Sequence, residues 1–322
     1  MPEEVRIFRS LEEARGLFGP SALTIGNFDG VHAGHRRILR RTCEVSRENG
    51  WKPSVLTFNP HPSKVVAPER SPHLMTTPEQ RCRLMGQEGI RQALILPFTT
   101  QIAGLTPEQF VGEILVDALG AKAVLVGENF RFGHKQAGNV ALLHELGTRF
   151  GFFTEVISAV TLRGTLVSSS EIRRLVESGD VARACRLLER PFALEGEVVR
   201  GHGIGSTQTV PTLNLATQCE VLPAVGVYVT RTQDQEARSW RSVTNVGHRP
   251  TFGGAALSIE TYLLDPLDGA APQQICVEFL RRLRDERKFE SPEQLKAQIL
   301  RDVRRAQAYF RRVPCHNHNS RR

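Results

Sequence analysis

Through the first half of the chain, short runs rich in Val, Ile and Leu alternate with stretches of helical period, and this rhythm constrains the fold more than any other feature. SALTIG leads into HRRILRRTCEVSREN, PSVLTFNP follows, and QALILPF, AKAVLVG and FFTEVIS come later. Parallel strands joined by crossover helices produce this pattern, so an α/β sheet is expected, with ligands at the carboxyl ends of its strands. Near residue 190 the rhythm changes. After the predicted helix VARACRLLER and Pro191 come FALEGEVV, GVYVT, RSVTNVG, LSIETYLL and ICVEFLRRL, with no long helix between them. That is the pattern of a small antiparallel barrel or sandwich. A helix closes the chain, with Ser291 as cap, Pro292 at its first position and Gln294 in the capping-box place. Leu295, Ile299, Val303 and Ala306 recur at helical spacing and are expected to face the barrel.

A length of 322 residues suits two domains. No apolar run approaches the roughly 18 residues of a membrane span, and the start MPEEVRIFRS is charged, so the cytoplasm is the default compartment and no membrane partner is expected. Cys43, Cys82, Cys185, Cys219, Cys276 and Cys315 lie far apart with no CxxC pair, and read as reduced thiols rather than a zinc or disulfide framework. A net charge of +8 suits polyphosphate substrates or nucleic acid and does not choose between them.

The strand SALTIG runs straight into GNFDGVHAGH and then a helix. Gly26 to His35 thus form a glycine-bearing loop at a helix N-terminus, where backbone N–H groups and the positive dipole end attract phosphate. His32 and His35, on either side of Gly34, can donate hydrogen bonds to phosphate oxygens and stabilise charge developing at phosphorus. Asp29 is a candidate for fixing the loop or a metal. Alone, HxxH would be two surface histidines or part of a zinc site; strand, loop and helix together favour phosphate chemistry.

GNFDGVHAGH resembles the HIGH-type signature of adenylyltransferases, in the form found in bacterial bifunctional riboflavin kinase/FAD synthetases. The resemblance implies that Gly26, Asn27, Phe28, Asp29 and Gly34 bind ATP or flavin around His32 and His35. It extends through LTFNPHP, with His61 at the nucleotide and flavin site, and VGENFRFG, with Asn129 near substrate and Phe130 and Phe132 where flavin binds. It continues through VSSSEIRRLVESGDV, where Ser168, Ser169 and Ser170 cap a helix start and Arg173 reaches a triphosphate. Without the resemblance, His61 would read as structural and the two phenylalanines as core.

From residue 186 to 312 the chain resembles the riboflavin kinase module of the same family. PTLN stands where that module has PTAN, which implies that Thr212 and Asn214 hold Mg²⁺ and the ATP phosphates beside Pro211; read alone, PTLN is a common turn. Gly201, Gly203 and Gly205 of GEVVRGHGIGS supply a phosphate-covering loop, and Asn245 of NVGHRP falls in the site. Strand alternation in SIETYLLD puts Ile259, Thr261 and Leu263 on one face and Ser258, Glu260 and Tyr262 on the other. Glu260 aligns with the family's catalytic Glu, the base for the riboflavin 5′-hydroxyl. One departure stands out: GSTQTVPTLN replaces GRxLGFPTAN, so Ser206 removes an Arg that could grip phosphate bidentately.

The resemblance implies a Rossmann-like nucleotidyltransferase parallel-sheet domain (residues 1–185), then a small antiparallel β-barrel kinase domain (186–312) with a C-terminal helix, and a flexible tail (313–322). It implies a bifunctional enzyme that makes FMN from riboflavin and FAD from FMN. Its small-molecule substrates are riboflavin, FMN and ATP, with Mg²⁺, no prosthetic group and no nucleic-acid partner. The alternative is an FMN adenylyltransferase whose second domain is a degenerate kinase that binds flavin or regulates. An aminoacyl-tRNA synthetase would need a KMSKS-like loop and an anticodon-binding helical domain, neither of which is present. An RNA-binding protein would need exposed aromatics along a basic stripe.

Overall fold

Six strands of the first unit, Met1–Ser169, are β1 (Arg6–Phe8), β2 (Ser21–Ile25), β3 (Lys52–Asn59), β4 (Gln92–Pro97), β5 (Ala121–Gly127) and β6 (Phe153–Ile157). This computed structural model describes residues 4–199, 212–251 and 254–313. The strands pair in the order β1-β4-β3-β2-β5-β6, all parallel. All five residues of β2 are buried, Ser21 and Thr24 included, as befits a central parallel strand covered on both faces. From β2 the chain steps to β3 and β4 on one side, then returns to β5 and β6 on the other. The topological switch point therefore lies between β2 and β5, where the loops after both strands open a crevice.

The connections carry α1 (Leu11–Ala14), α2 (Ala33–Asn49), α3 (Pro62–Val66), α4 (Pro78–Gln87), α5 (Thr100–Gly104), α6 (Pro107–Gln109) and α7 (Val140–Phe150), and α6 continues as a π-helical stretch, Phe110–Ala118. Helix α2 ends where Gly50 takes φ 71° and returns its N–H to Ser46. Thr77 and Gln80 form a capping box that starts α4, with Pro78 at its first position. A two-stranded ribbon, β7 (Thr161–Leu162) with β8 (Thr165–Leu166), precedes α8 (Ser169–Glu177).

The second unit, Ser170–Arg322, takes most of α8 and then α9 (Val181–Leu188). Strands β9 (Phe192–Val199), β10 (Thr212–Thr217), β11 (Gly226–Asp234), β12 (Ser239–Thr251), β13 (Gly254–Leu263) and β14 (Gln274–Arg284) close into a barrel in the order β10-β13-β12-β11-β14-β9. All its pairings are antiparallel. The parallel sheet, the barrel and the closing helix follow one another as expected. Thr212–Asn214, which alone suggest a turn, instead open strand β10.

Part of the barrel is built on hydroxyls. Thr230, Thr232, Ser242, Thr244 and Thr261 are all 0% exposed. They join in one chain: Thr232 to Ser242, Ser242 to Thr230 and Thr230 to Thr244, each at 2.8 Å, then Thr244 to Thr261 at 2.9 Å.

Helix α10 (Pro292–Arg312) begins at Ser291, whose hydroxyl accepts from the Gln294 N–H as expected, whereas the Gln294 side chain does not complete the capping box. Of the expected stripe, Ala306 is buried and Val303 half-buried, but the N-terminal half of the helix turns its apolar residues outward. Leu295 is 43% and Ile299 39% exposed, whereas Gln298, Asp302, Ala306 and Phe310 are buried. Polar pairing rotates the helix: Arg284 Nε donates to Asp302 at 2.9 Å, Gln298 Nε2 donates to Asp302 at 2.8 Å, and Arg287 and Arg301 both donate to Gln298 Oε1.

Candidate active sites

In the first unit the loop after β2 bends back through conformations that residues with side chains resist. φ is +50° at Phe28, +79° at Gly30 and +38° at Val31, the last an outlier for a β-branched residue. Strain of this kind persists only where the surroundings over-determine it. The buried Asp29 carboxylate accepts from the Met75 N–H at 3.0 Å, the Thr76 N–H at 3.1 Å and the Thr76 hydroxyl at 2.9 Å. Gly30 N–H donates to Thr76 Oγ1 at 3.2 Å, and the Ser169 hydroxyl donates to the Asp29 carbonyl at 2.9 Å. Of the two roles open to Asp29, this geometry supplies the fixing of the loop.

The loop delivers His32 as the N-cap of α2, its Nδ1 accepting the His35 N–H at 3.3 Å. In the neutral ring the proton then sits on Nε2, which becomes a donor. The rings of His32 and His35 stack, with centroids 3.6 Å apart and planes 14° from parallel, and Phe28 meets His35 edge-on at 5.1 Å. The β3 exit supplies His61, whose Nε2 lies 2.8 Å from the Asn27 amide while its Nδ1 accepts from the Ser63 N–H at 3.2 Å. Three contact groups, His32–His35–Phe28, Asn27–His61 and Asp29–Ser169, are thus brought onto one loop through the consecutive residues 27–29.

At the other side of the switch point, the loop after β5 leaves Asn129 exposed. Phe132, 6% exposed, stacks on half-buried Phe130 at 5.6 Å and tilts against Phe110 at 5.8 Å. Phe132 supports the wall that Phe130 completes. Ser168 is half-buried just before α8; Ser170, exposed, and Arg173, half-buried, stand on that helix in the second unit.

In the barrel, Asn214 on β10 pairs in register with Glu260 on β13, and Glu260 pairs with Asn245 on β12. Paired residues in an antiparallel sheet point to the same face, so amide, carboxylate and amide form one row, with Thr212 two residues along on the same side. Ile259, Thr261 and Leu263 are buried behind it and Ser258, Glu260 and Tyr262 are half-buried, as alternation requires. Gly201, Gly203, Gly205 and Pro211 lie outside the described residues. The hydroxyl of Thr212 and the amide oxygen of Asn214 are hard oxygen donors that fit Mg²⁺, which takes few protein ligands and keeps waters or phosphate oxygens for the rest.

Two participants carry no motif of their own. Arg81, 1% exposed in α4, donates Nη1 to the Asn27 carbonyl at 2.6 Å; the signal was an Arg on the stripe that Cys82 and Met85 bury. The Glu286 carboxylate lies against Gly247 beside the Asn245 amide. Its loop is tied down by Phe289, over which the Arg284 and Arg287 guanidinium carbons sit 5.9 and 4.7 Å from the ring centroid.

Comparison with known proteins matches residues 17–171 to the FAD synthetase family and residues 188–310 to the riboflavin kinase family. The bifunctional riboflavin kinase/FMN adenylyltransferase of Pseudomonas fluorescens is 35% identical over 305 residues, covering 94% of this chain and 97% of its own. That of Escherichia coli K12 is 34% identical over 288 residues, covering 89% and 92%. A crystal structure described as a macrolide-efflux protein from Streptococcus pneumoniae superposes with a TM-score of 0.82 at 28% identity, covering 94% of this chain and 98% of that one. With both constellations collinear with these matches, the chain belongs to the bifunctional riboflavin kinase/FMN adenylyltransferase family.

Proposed function

We propose that the two activities of this enzyme, riboflavin phosphorylation and FMN adenylylation, are divided between the barrel and the parallel sheet, with the residues above in the following roles. The domains run over residues 1–185 and 186–312, with a tail beyond. At the barrel, ATP is held by Thr212 and Asn214 with Pro211 and the Gly201, Gly203 and Gly205 loop. The riboflavin 5′-oxygen attacks the γ-phosphorus, its proton passes to a Glu260 carboxylate oxygen, and ADP leaves. Asn245 orients Glu260 from the neighbouring strand. A base so placed contributes about 10²- to 10⁴-fold in rate. Mg²⁺, held by Thr212 and Asn214 when bound, would neutralise phosphate charge.

At the sheet, an FMN phosphate oxygen attacks the α-phosphorus of a second ATP, the α–β bridging bond breaks, and pyrophosphate leaves. His32 and His35 donate hydrogen bonds to the phosphate oxygens as charge builds. Asn27, Phe28, Asp29 and the glycines Gly26 and Gly34 shape the loop, while Ser168, Ser169, Ser170 and Arg173 hold the triphosphate. His61, Asn129, Phe130 and Phe132 line the flavin side. The enzyme works in the cytoplasm on small molecules, without nucleic acid or membrane.

The observation that carries this reading is the Asn214–Glu260–Asn245 row, because it keeps the kinase groups together in a chain whose preceding loop has lost its Arg. The test is chromatographic, with purified protein, riboflavin, ATP and Mg²⁺. Glu260→Ala is expected to make no FMN from riboflavin yet still convert FMN to FAD, and His32→Ala/His35→Ala to stop at FMN. A parent that uses FMN but never riboflavin would make the barrel a non-catalytic module.

A further inference from the structure

Arg81 is buried among the apolar residues of α4, with Cys82 at 1% and Met85 at 0% exposure beside it. A charge taken out of water is retained in such a place only where something compensates it. Burial pushes the Arg81 pKa down from the ordinary guanidinium value, and the Asp29 charge opposes that shift most. Its Nη1 is engaged, donating to the Asn27 carbonyl at 2.6 Å and the Thr57 hydroxyl at 3.4 Å. Its Nε and Nη2 are buried with no hydrogen-bond partner among the described residues. A structural anchor would be expected to satisfy more of its five donors.

The contact with Asn27 has a geometric consequence. In a trans peptide the carbonyl of one residue and the N–H of the next point in opposite directions. With the Asn27 carbonyl drawn down onto Arg81, the Phe28 N–H is turned away from α4. That N–H makes no hydrogen bond to another described residue. The side chain of Asn27 meanwhile meets His61 at 2.8 Å, so one residue links the buried guanidinium to the flavin side of the loop.

We propose that Arg81 is a positioning residue for adenylyl transfer: it holds the Asn27 carbonyl beneath the loop, thereby aims the Phe28 N–H at the phosphates, and places a fixed positive charge below them. The proposal rests on reading the His32–His35 loop as the adenylyltransferase site. It explains why the loop tolerates φ +50° at Phe28 and why a guanidinium is kept where an apolar side chain would pack.

The test uses the full chain with Arg81→Met and Arg81→Lys, beside His32→Ala/His35→Ala. FAD formation from FMN and riboflavin phosphorylation are measured on the same preparations, so the barrel serves as the folding control. Arg81→Met is expected to lower kcat for FAD formation by about 10- to 100-fold, with KM changed by less than about threefold and phosphorylation unaltered. Arg81→Lys is expected to recover part of kcat. In protein labelled with ¹⁵N-phenylalanine, the Phe28 amide resonance is expected to shift on adding Mg²⁺ and α,β-methylene-ATP, and to shift less in Arg81→Lys; this variant carries the test if Arg81→Met does not fold. A kcat within about twofold of the parent in Arg81→Met, equal loss of both activities, or an unchanged Phe28 response in Arg81→Lys overturns the proposal. If the double histidine variant still makes FAD, the site reading itself fails and the proposal falls with it; if that variant is dead and Arg81→Met is not, the proposal fails alone.

Discussion

The His32 ring lies over the backbone of Gly34, so close that a Cβ added at residue 34 would stand 3.2 Å from both its Cε1 and its Nδ1. Nδ1 is the atom that accepts the His35 N–H and so fixes the tautomer. The glycine between the two histidines is therefore the space that lets the first ring fold onto the second.

Gly34→Ala should separate position from fold. Alanine is favoured over glycine within a helix by up to about 1 kcal/mol, so α2 is not weakened. The methyl group nevertheless pushes the His32 ring aside by a few tenths of an ångström. FAD formation is expected to fall by about tenfold or more while riboflavin phosphorylation stays at the parent rate. Steady-state rates of both reactions on one preparation decide it, and an unchanged FAD rate would mean that the placement of His32 does not limit the reaction.

What could be read in advance was whatever local sequence dictates. The βα rhythm announces the parallel sheet, and a glycine-bearing loop between strand and helix locates His32 and His35 without tertiary information. Alternation separates Glu260 from Ile259 and Thr261, but only the family resemblance singles it out as the candidate base. The rest depends on partners distant in sequence. Leu295 and Ile299 suggest an inner face by periodicity, but Gln298 and Asp302 take that face because Arg284 and Arg287 approach from β14 and the loop after it. Arg81 lies on the stripe that Cys82 and Met85 bury, but its partner, the Asn27 carbonyl 54 residues away, cannot be read from that stripe. Thr212 and Asn214 suggest a turn because strand β10 exists only through pairing with β9 and β13.

The hydroxyl chain inside the barrel predicts an unusually costly conservative change. Thr230 is its branch point, 2.8 Å from both Ser242 and Thr244. Thr230→Val keeps the shape but removes one partner from each of two buried hydroxyls, an expected loss of about 1–3 kcal/mol. Urea unfolding followed by Trp240 fluorescence in a Trp51→Phe background reads the second unit, since these are the two tryptophans of the chain. An unfolding midpoint equal to that of the background protein would mean the chain of hydroxyls contributes nothing net.

Gly247 makes the corresponding prediction for the kinase. An added Cβ there would collide with the Glu286 carboxylate and stand 3.0 Å from the Asn245 amide nitrogen. Glu286 ends a flexible side chain on an exposed loop and can swing away, so Gly247→Ala is expected to fold with a melting temperature close to the parent's. Asn245 stands beside Glu260 in the register of the two strands, so moving its amide is expected to disturb the carboxylate proposed to take the riboflavin proton. Riboflavin phosphorylation is expected to drop by about tenfold, with FAD formation from FMN unchanged. If Glu286→Ala leaves phosphorylation intact while Gly247→Ala does not, the effect travels through Asn245; if Gly247→Ala is as active as the parent, the crowding between these three residues has no part in the proton transfer.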